Sequence, residues 1–335
     1  MADPTPAAVP VSAPEAAPVG SLGTGPKDPS DPSEPGHGAN KFGRTSELRL
    51  EARARGGTTQ LGELYFTMPL KVMRPFPLER AELVGSARGA SGREALADPA
   101  QVMLMSTSAG LMEGDEQLID LTVRTGAALQ MTSQSFDKVH RMGPTGVARR
   151  TTHLAVEPGA YLDYRPQPLI PFAGSAFEAA TTVELADASS GLVFEEVLSC
   201  GRVARGERFG YRSYKNRVTV RVSGVPVYHD NARFEPERMP MEGMGLFEGY
   251  SHLATLLVVN LGISEGAFQA ARAYLLDETG VIGAQAGSPA GAREGSEAVA
   301  GGITRLASGD VAVRLLGHRA QRLEQVLARV RGLLG

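Results

Sequence analysis

The stretch LRLEARARGG, residues 48–57, decides the fold class. Apolar and charged residues alternate along its first eight positions, and two glycines follow. Side chains of a β-strand point alternately to opposite faces, so this period of two is typical of a half-buried strand that ends in a turn. The sequence therefore predicts a strand that begins near Thr45 and ends at Gly56-Gly57.

The same alternation recurs further along the chain, at 119–123, 132–140, 153–156, 182–185, 192–200 and 217–222. Two later segments carry apolar residues at helical spacing: 264–277, with Ser264 as the N-cap, and 319–333. We find no internal sequence repeat. The pattern predicts a mainly β protein, a layered or helical arrangement of many short strands with two α-helices near the C-terminus.

The N-terminal segment differs in composition from the rest of the chain. Residues 1–42 contain nine prolines and many alanines, and such a segment cannot bury enough apolar surface to offset the entropy of ordering. We predict a disordered tail over 1–42 and a single β-rich domain over 43–335. Within that domain, the small and polar residues 284–297 predict a mobile loop.

Charge and cysteine content exclude several classes of partner. The chain has 34 basic and 37 acidic side chains, so it lacks the basic excess that nucleic acid binding requires. Its longest charge-free apolar stretch, 250–264, is shorter than the ~20 residues of a membrane span. Cys200 is the only cysteine, and no secretory signal is readable. We therefore expect a cytoplasmic protein that binds neither nucleic acid nor membrane.

Common catalytic motifs are absent from the sequence. It has no G-x-x-x-x-G-K-[ST] phosphate loop, G-x-G-x-x-G, G-x-S-x-G, H-E-x-x-H or C-x-x-C. We therefore predict that the protein is not an enzyme. One alternative stays open, a hydrolase that gathers its carboxylates from separate strands, with Asp115, Glu196 and Glu207 as the candidates.

Polar side chains occupy unexpected places in two predicted strands. In 132–140, Thr132, Gln134, Lys138 and His140 share a face with Phe136, which indicates a polar interior or a partner surface; an exposed edge strand is the alternative. In 192–200, Glu196 shares a face with residues that prefer burial, among them Cys200. A buried carboxylate must be paired, hydrogen-bonded or protonated. A structural pair with Arg202 or Arg205 is the alternative to a functional role.

Glu196 and Cys200 are both possible metal ligands. Four strand residues separate them by ~13 Å, however, which is too far for two ligands of one ion. A third feature, YRPQPLIP at 164–171, has three prolines and should be extended and rigid, outside a central strand or near a partner. Ser175 follows this segment.

Taken together, these segments resemble one known family. The matching stretches are GLMEGD at 110–115, MTSQSFDKVHRM at 131–142, GAYLDYRPQP at 159–168, EVLSCGRV at 196–203, RGE at 205–207 and VRLLG at 313–317. In this order they resemble the urease accessory protein D family, called H in some organisms, over roughly residues 45–334. The proline-rich tail departs from the family, as does Ser108-Ala109-Gly110, where many members have a glycine run.

The resemblance implies a urease maturation factor. Such a scaffold or chaperone binds apo-urease together with accessory proteins F and G, is homodimeric within that complex, and delivers nickel through an internal channel. Nickel is then cargo in transit, and the chain has no cofactor of its own. Its candidate transit residues are Asp115, His140, Glu196 and Cys200. The candidates for partner or channel contacts are Thr132, Gln134, Lys138, Tyr164, Pro166, Pro168, Ser175, Arg202 and Glu207. A β-rich interaction module unrelated to metal is the remaining alternative.

Overall fold

A computed structural model describes residues 45–85, 96–280 and 297–335. The predicted tail 1–42 lies outside these ranges, and so does the predicted loop 284–297 except for Glu297. None of the helices within the described ranges is both long and apolar enough to cross a membrane.

The described chain forms eighteen strands and two α-helices. In chain order the strands are β1 Thr45–Arg55, β2 Thr58–Phe66, β3 Leu70–Val72, β4 Phe76–Pro77, β5 Ala100–Ser106, β6 Glu116–Val123, β7 Ala128–Ser133, β8 Asp137–Val139, β9 Ala148–Val156, β10 Tyr161–Arg165, β11 Leu169–Pro171, β12 Ala176–Leu185, β13 Gly191–Ser199, β14 Ser213–Val222, β15 Val225–Phe234, β16 His252–Val259, β17 Val299–Arg305 and β18 Val311–Gly317. The helices are α1 Glu265–Glu278 and α2 Ala320–Leu334, and short 3-10 turns lie at Arg80–Glu82 and Val203–Arg205. The predicted mainly β fold with two helices late in the chain is confirmed.

The strands form two sheets that face each other. The smaller sheet has seven strands in the order β15-β14-β12-β9-β6-β1-β2. The larger sheet has eleven strands; its main path is β17-β18-β16-β13-β10-β7-β5-β3, and β4, β8 and β11 pair beside it. From β5 to β14 the main-path strands alternate between the two sheets, and neighbours within each sheet are parallel. The chain thus winds like a β-solenoid although its sequence has no repeat.

Apolar residues fill the space between the sheets and one outer face of the larger sheet. Leu50, Ile119, Leu154 and Phe194 belong to the cluster between the sheets. Val193 points the other way, to a second cluster that joins the larger sheet to both helices. The alternation predicted for residues 192–200 therefore holds, and it decides that Glu196 faces the space between the sheets.

Both helices are bounded as the sequence predicts. The Ser264 side chain caps α1 by accepting a hydrogen bond from the backbone N–H of Ala267 at 3.1 Å. The apolar face of α2 is buried against the larger sheet through Leu323, Val326, Leu327, Val330 and Leu334.

The single strand predicted over 132–140 is wrong. It consists of β7, which pairs with β5 and β10, and β8, which pairs with β11. The neighbouring strand explains the break, because β10 ends at Arg165 just before Pro166 and pairing resumes only at Leu169. Prolines 166 and 168 have no N–H to donate to a ladder. As a result, the polar residues of 132–140 do not share one strand face.

Candidate functional site: a polar belt between the sheets

One level of the stacked strands carries polar or small side chains into the space between the sheets. In the smaller sheet, the residues aligned at this level on six successive strands are Ser46, Gln117, Arg150, Ala179, Asn216 and Ala232. In the larger sheet, three adjacent strands contribute Glu196, Thr255 and Arg314. We call these nine residues the polar belt. It lies between two apolar clusters, one that contains Leu154 and Val183 and one that contains Ala148 and Phe177.

A hydrogen bond across the belt joins the two sheets. The Asn216 side-chain Nδ2 donates to Glu196 Oε2 at 2.8 Å. The oxygen of that amide, Asn216 Oδ1, is buried and has no partner in the described part of the chain. A protonated Glu196 can offer a donor to it, whereas the carboxylate cannot.

Arg150 is held on both sides within the belt. Its Nη1 donates to Asp137 Oδ2 at 2.7 Å, and its Nε and Nη2 donate to Gln117 Oε1 at 2.9 and 2.6 Å. Only 14% of its side chain is exposed. At the opposite end of the belt, Arg314 forms an ion pair with Asp230. Each arginine is therefore neutralised by one carboxylate beside the belt.

Three cavities follow the belt. An open groove of about 630 Å³, lined by Asp230 and Arg314 among others, shares Asp230, Leu253 and Thr255 with an internal cavity of about 60 Å³. This cavity contains Glu196 and has room for a few water molecules.

The internal cavity adjoins a second one of about 30 Å³. The two share four lining residues, namely Asp137, Arg150, Tyr164 and Pro166. An Asp–Arg pair therefore stands at each junction of the series, Asp230–Arg314 on the groove side and Asp137–Arg150 on the inner side.

Desolvation weakens the acidity of the Glu196 carboxyl. Burial raises the pKa of its carboxyl to about 7, and this rise persists although the Asn216 hydrogen bond and the Arg150 charge both lower it. Its side chain retains some accessible surface only because it faces the cavity. Near neutral pH, Glu196 therefore exchanges between acid and carboxylate, so it can release a proton as a cation arrives.

The belt offers oxygen ligands for such a cation. Carboxylate, amide and hydroxyl oxygens hold transition-metal ions less firmly than thiolates do. Within the described residues, no three or more His, Cys, Asp or Glu side chains come together in a group that could hold a metal ion. The site therefore offers scattered single ligands beside a series of neighbouring cavities.

Comparison with known proteins identifies the family. The family model described as "UreD urease accessory protein" matches residues 44–335. The urease accessory protein UreD of Acetivibrio thermocellus is 32% identical over 295 residues, which cover 88% of this chain and 99% of that protein. UreH of Helicobacter pylori strain P12 is 32% identical over 286 residues, 85% of this chain and 92% of that protein. The chain belongs to the UreD family.

The residues that the sequence analysis proposed for nickel transit and partner contacts lie in separate parts of the structure. Glu196, Tyr164 and Pro166 line the belt cavity. Asp115 accepts a hydrogen bond from the Met112 N–H at 2.7 Å in a turn, and the His140 ring lies 3.1 Å from the Ala109 carbonyl oxygen. Neither Asp115 nor His140 lines that cavity, so the structure does not bring the four transit candidates together.

Cys200 lies apart from the belt cavity. It is fully buried, and desolvation raises the pKa of its thiol, which keeps it protonated. Ser175 is also fully buried, and its hydroxyl has no partner among the described residues.

The remaining partner candidates, Thr132, Gln134, Lys138 and Pro168, do not line the belt cavity. Thr132, the last residue but one of β7, is half-buried, and Gln134 and Lys138 are exposed on either side of the break. The Pro168 carbonyl accepts the Asp137 N–H at 3.0 Å, which holds β8 against the rigid proline segment.

The alternative pairing of Glu196 with Arg202 or Arg205 is wrong. Arg202 instead pairs with Glu207, with Nε 2.7 Å from Oε2, and its guanidinium lies 4.2 Å from the centre of the Phe172 ring. Asp115 and Glu207 are likewise absent from the cavity that contains Glu196. The three carboxylates proposed for a hydrolase are not gathered in that cavity.

The sequence analysis did not identify the belt residues of the smaller sheet, among them Arg150. Arg150 follows the alternation that places Leu154 and Val156 in the core, so its burial was readable by the same argument as that of Glu196. It also missed a buried pair on the helix side of the larger sheet, where Arg331 of α2 binds Glu195. Their side chains are only 12% and 8% exposed.

Proposed function

We propose that this protein serves urease maturation as a scaffold through whose interior nickel passes. In this proposal it binds apo-urease and accessory proteins F and G, as a homodimer within that complex. The observation that carries the proposal is the polar belt, along which an open groove and two internal cavities share lining residues. Family membership supports the urease connection.

The residues of the belt suit an ion in transit. Carboxylates stand at successive points, Asp230, Glu196 and Asp137, and two of them are neutralised by arginine until a cation arrives. A divalent ion can take the place of the arginine or of the Glu196 proton. Because each station offers few ligands, binding is weak enough for release to the next.

Reconstituted activation of apo-urease tests the proposal. The assay compares wild type, Glu196→Gln and the matched control Glu184→Gln, whose side chain lies on the surface beside Arg221. We expect Glu196→Gln to lower the yield of active urease several-fold while leaving the complex with the partners intact, and Glu184→Gln to behave as wild type. Equal activation by Glu196→Gln in an intact complex would remove Glu196 from the path.

The two alternatives give different results. A module unrelated to metal predicts that omitting this chain leaves activation unchanged. A hydrolase predicts turnover of urea or GTP by the purified chain free of its partners, and we expect none.

A further inference from the structure

A second groove, of about 930 Å³, lies between the 3-10 turn Val203–Arg205 and the first residues of α2. No residue of the polar belt lines it. Its apolar lining includes Phe136 and Ile170, both partly exposed, and Val203. This groove is therefore a separate feature from the proposed nickel path.

The charge of the groove is one-sided. Four arginines line it, Arg202, Arg205, Arg208 and Arg319, and the described residues of its lining include no carboxylate. Three of them have acidic partners outside the lining, with Arg319 only loosely paired at 3.9 Å to Glu297. The exposed Arg205 side chain donates no hydrogen bond and has no carboxylate within ion-pair distance among the described residues, although its charge acts on Glu207, which Arg202 binds.

The two imidazoles in the groove add no charge. Desolvation, together with the neighbouring His318 and Arg208, lowers the pKa of His252 to about 4. Desolvation and Arg208 also lower the pKa of His318. Both rings are thus neutral near pH 7, and the positive charge of the groove rests on its arginines.

The start of α2 adds to this field. Arg319 is its N-cap residue and makes no side-chain cap, so the first backbone N–H groups of a fifteen-residue helix are not capped by that side chain. Arg319, Ala320 and Gln321 line the groove. The helix dipole therefore favours a negative group at the same end as Arg319 and Arg205.

We propose that this groove docks an acidic segment of a partner protein that also carries a large apolar side chain. Carboxylates of the segment lie against Arg205, Arg319 and the start of α2, and its apolar side chain packs on Phe136 and Ile170. The apolar lining favours a peptide over a bare phosphate, which would leave that surface uncovered.

Fluorescence polarisation with the full-length chain tests this. The probe is a fluorescein-labelled peptide, Glu-Asp-Leu-Phe-Asp-Glu, and two comparison peptides replace the acids by lysine or Leu-Phe by Ser-Ser. We expect saturable binding of the first probe only. Reversing the charge of both exposed arginines, Arg205→Glu with Arg319→Glu, should weaken it by about tenfold or more, since charge-assisted hydrogen bonds are lost. The matched control is Arg272→Glu, on the exposed side of α1.

Three outcomes would overturn the proposal. One is the absence of binding to the wild-type chain. Another is equal binding by the double charge-reversal variant with an unchanged melting temperature. The third is equal binding of the Ser-Ser peptide with displacement by inorganic phosphate, which would make the groove a simple anion site. None of these measurements involves urease or nickel, so their failure is distinct from failure of the proposed function.

Discussion

Replacing Glu196 by Gln should change how the stability of the protein depends on pH. The folded-state pKa of Glu196, about 7, lies above the ordinary glutamate value of 4.5. Between these values the folded state binds more protons than the unfolded state, so stability is fully present below pH 4.5 and falls as pH rises through 7. The rise corresponds to about 3 kcal/mol, of which roughly 2.5 kcal/mol is lost between pH 5 and pH 8.

Gln at this position keeps the local contacts. It can accept the Asn216 Nδ2 hydrogen bond and donate to the partnerless Asn216 Oδ1. The variant therefore has no group that titrates at position 196, and the substitution opens no cavity. Urea unfolding at pH 5 and pH 8 should show that wild type loses about 2–3 kcal/mol more than Glu196→Gln over this interval. The surface control Glu184→Gln should follow wild type.

This reasoning would be refuted by identical pH dependence in wild type and Glu196→Gln. Such a result would mean that the Glu196 carboxylate stays ionised in the folded protein. It would also remove the proton exchange on which its proposed part in cation transit rests.

Three further substitutions probe other parts of the structure. Asp137→Asn leaves Arg150 without its carboxylate, so the arginine charge should lower the pKa of Glu196 further. The pH dependence of stability, measured by urea unfolding, should then shift to lower pH. An unshifted curve would contradict the influence of the Asp137–Arg150 pair on Glu196. Glu195→Leu leaves the buried Arg331 guanidinium without a carboxylate, so it should lower the free energy of unfolding, measured in urea, by about 3 kcal/mol or more. Adding Arg331→Met should restore most of the lost stability. Cys200→Ala should keep most urease activation, since its thiol is buried and protonated; abolished activation in a folded, assembled complex would require a thiolate site.

The sequence predicts the faces of strands well and their partners poorly. The period of two places Leu192, Phe194 and Glu196 on one face of β13, and the two sheets confirm it. The partner of Glu196 is Asn216, on the opposite sheet, and no local signal links these two residues. Parallel strands joined by long connections have no tight turn to fix their register. The polar belt exists only once that register is known.

The broken strand at 132–140 shows the same limit. Its own alternation is continuous through Phe136, and the break comes from the prolines of the neighbouring strand. Those prolines were visible in the sequence, but which strand they would lie beside was not. Likewise, Arg202 and Arg205 follow Glu196 closely in sequence and yet bind or face elsewhere.

Transfer of radioactive nickel to apo-urease tests passage through the belt most directly. Thr255 lies at the junction between the open groove and the cavity of Glu196, whereas Thr304 lines only the groove. Thr255→Phe should block transfer, while Thr255→Val and the control Thr304→Phe should allow it, with complex assembly and melting temperature checked for each. The predicted result is a loss of about tenfold or more for Thr255→Phe alone. Undiminished transfer by a folded, assembled Thr255→Phe complex would contradict passage through the belt.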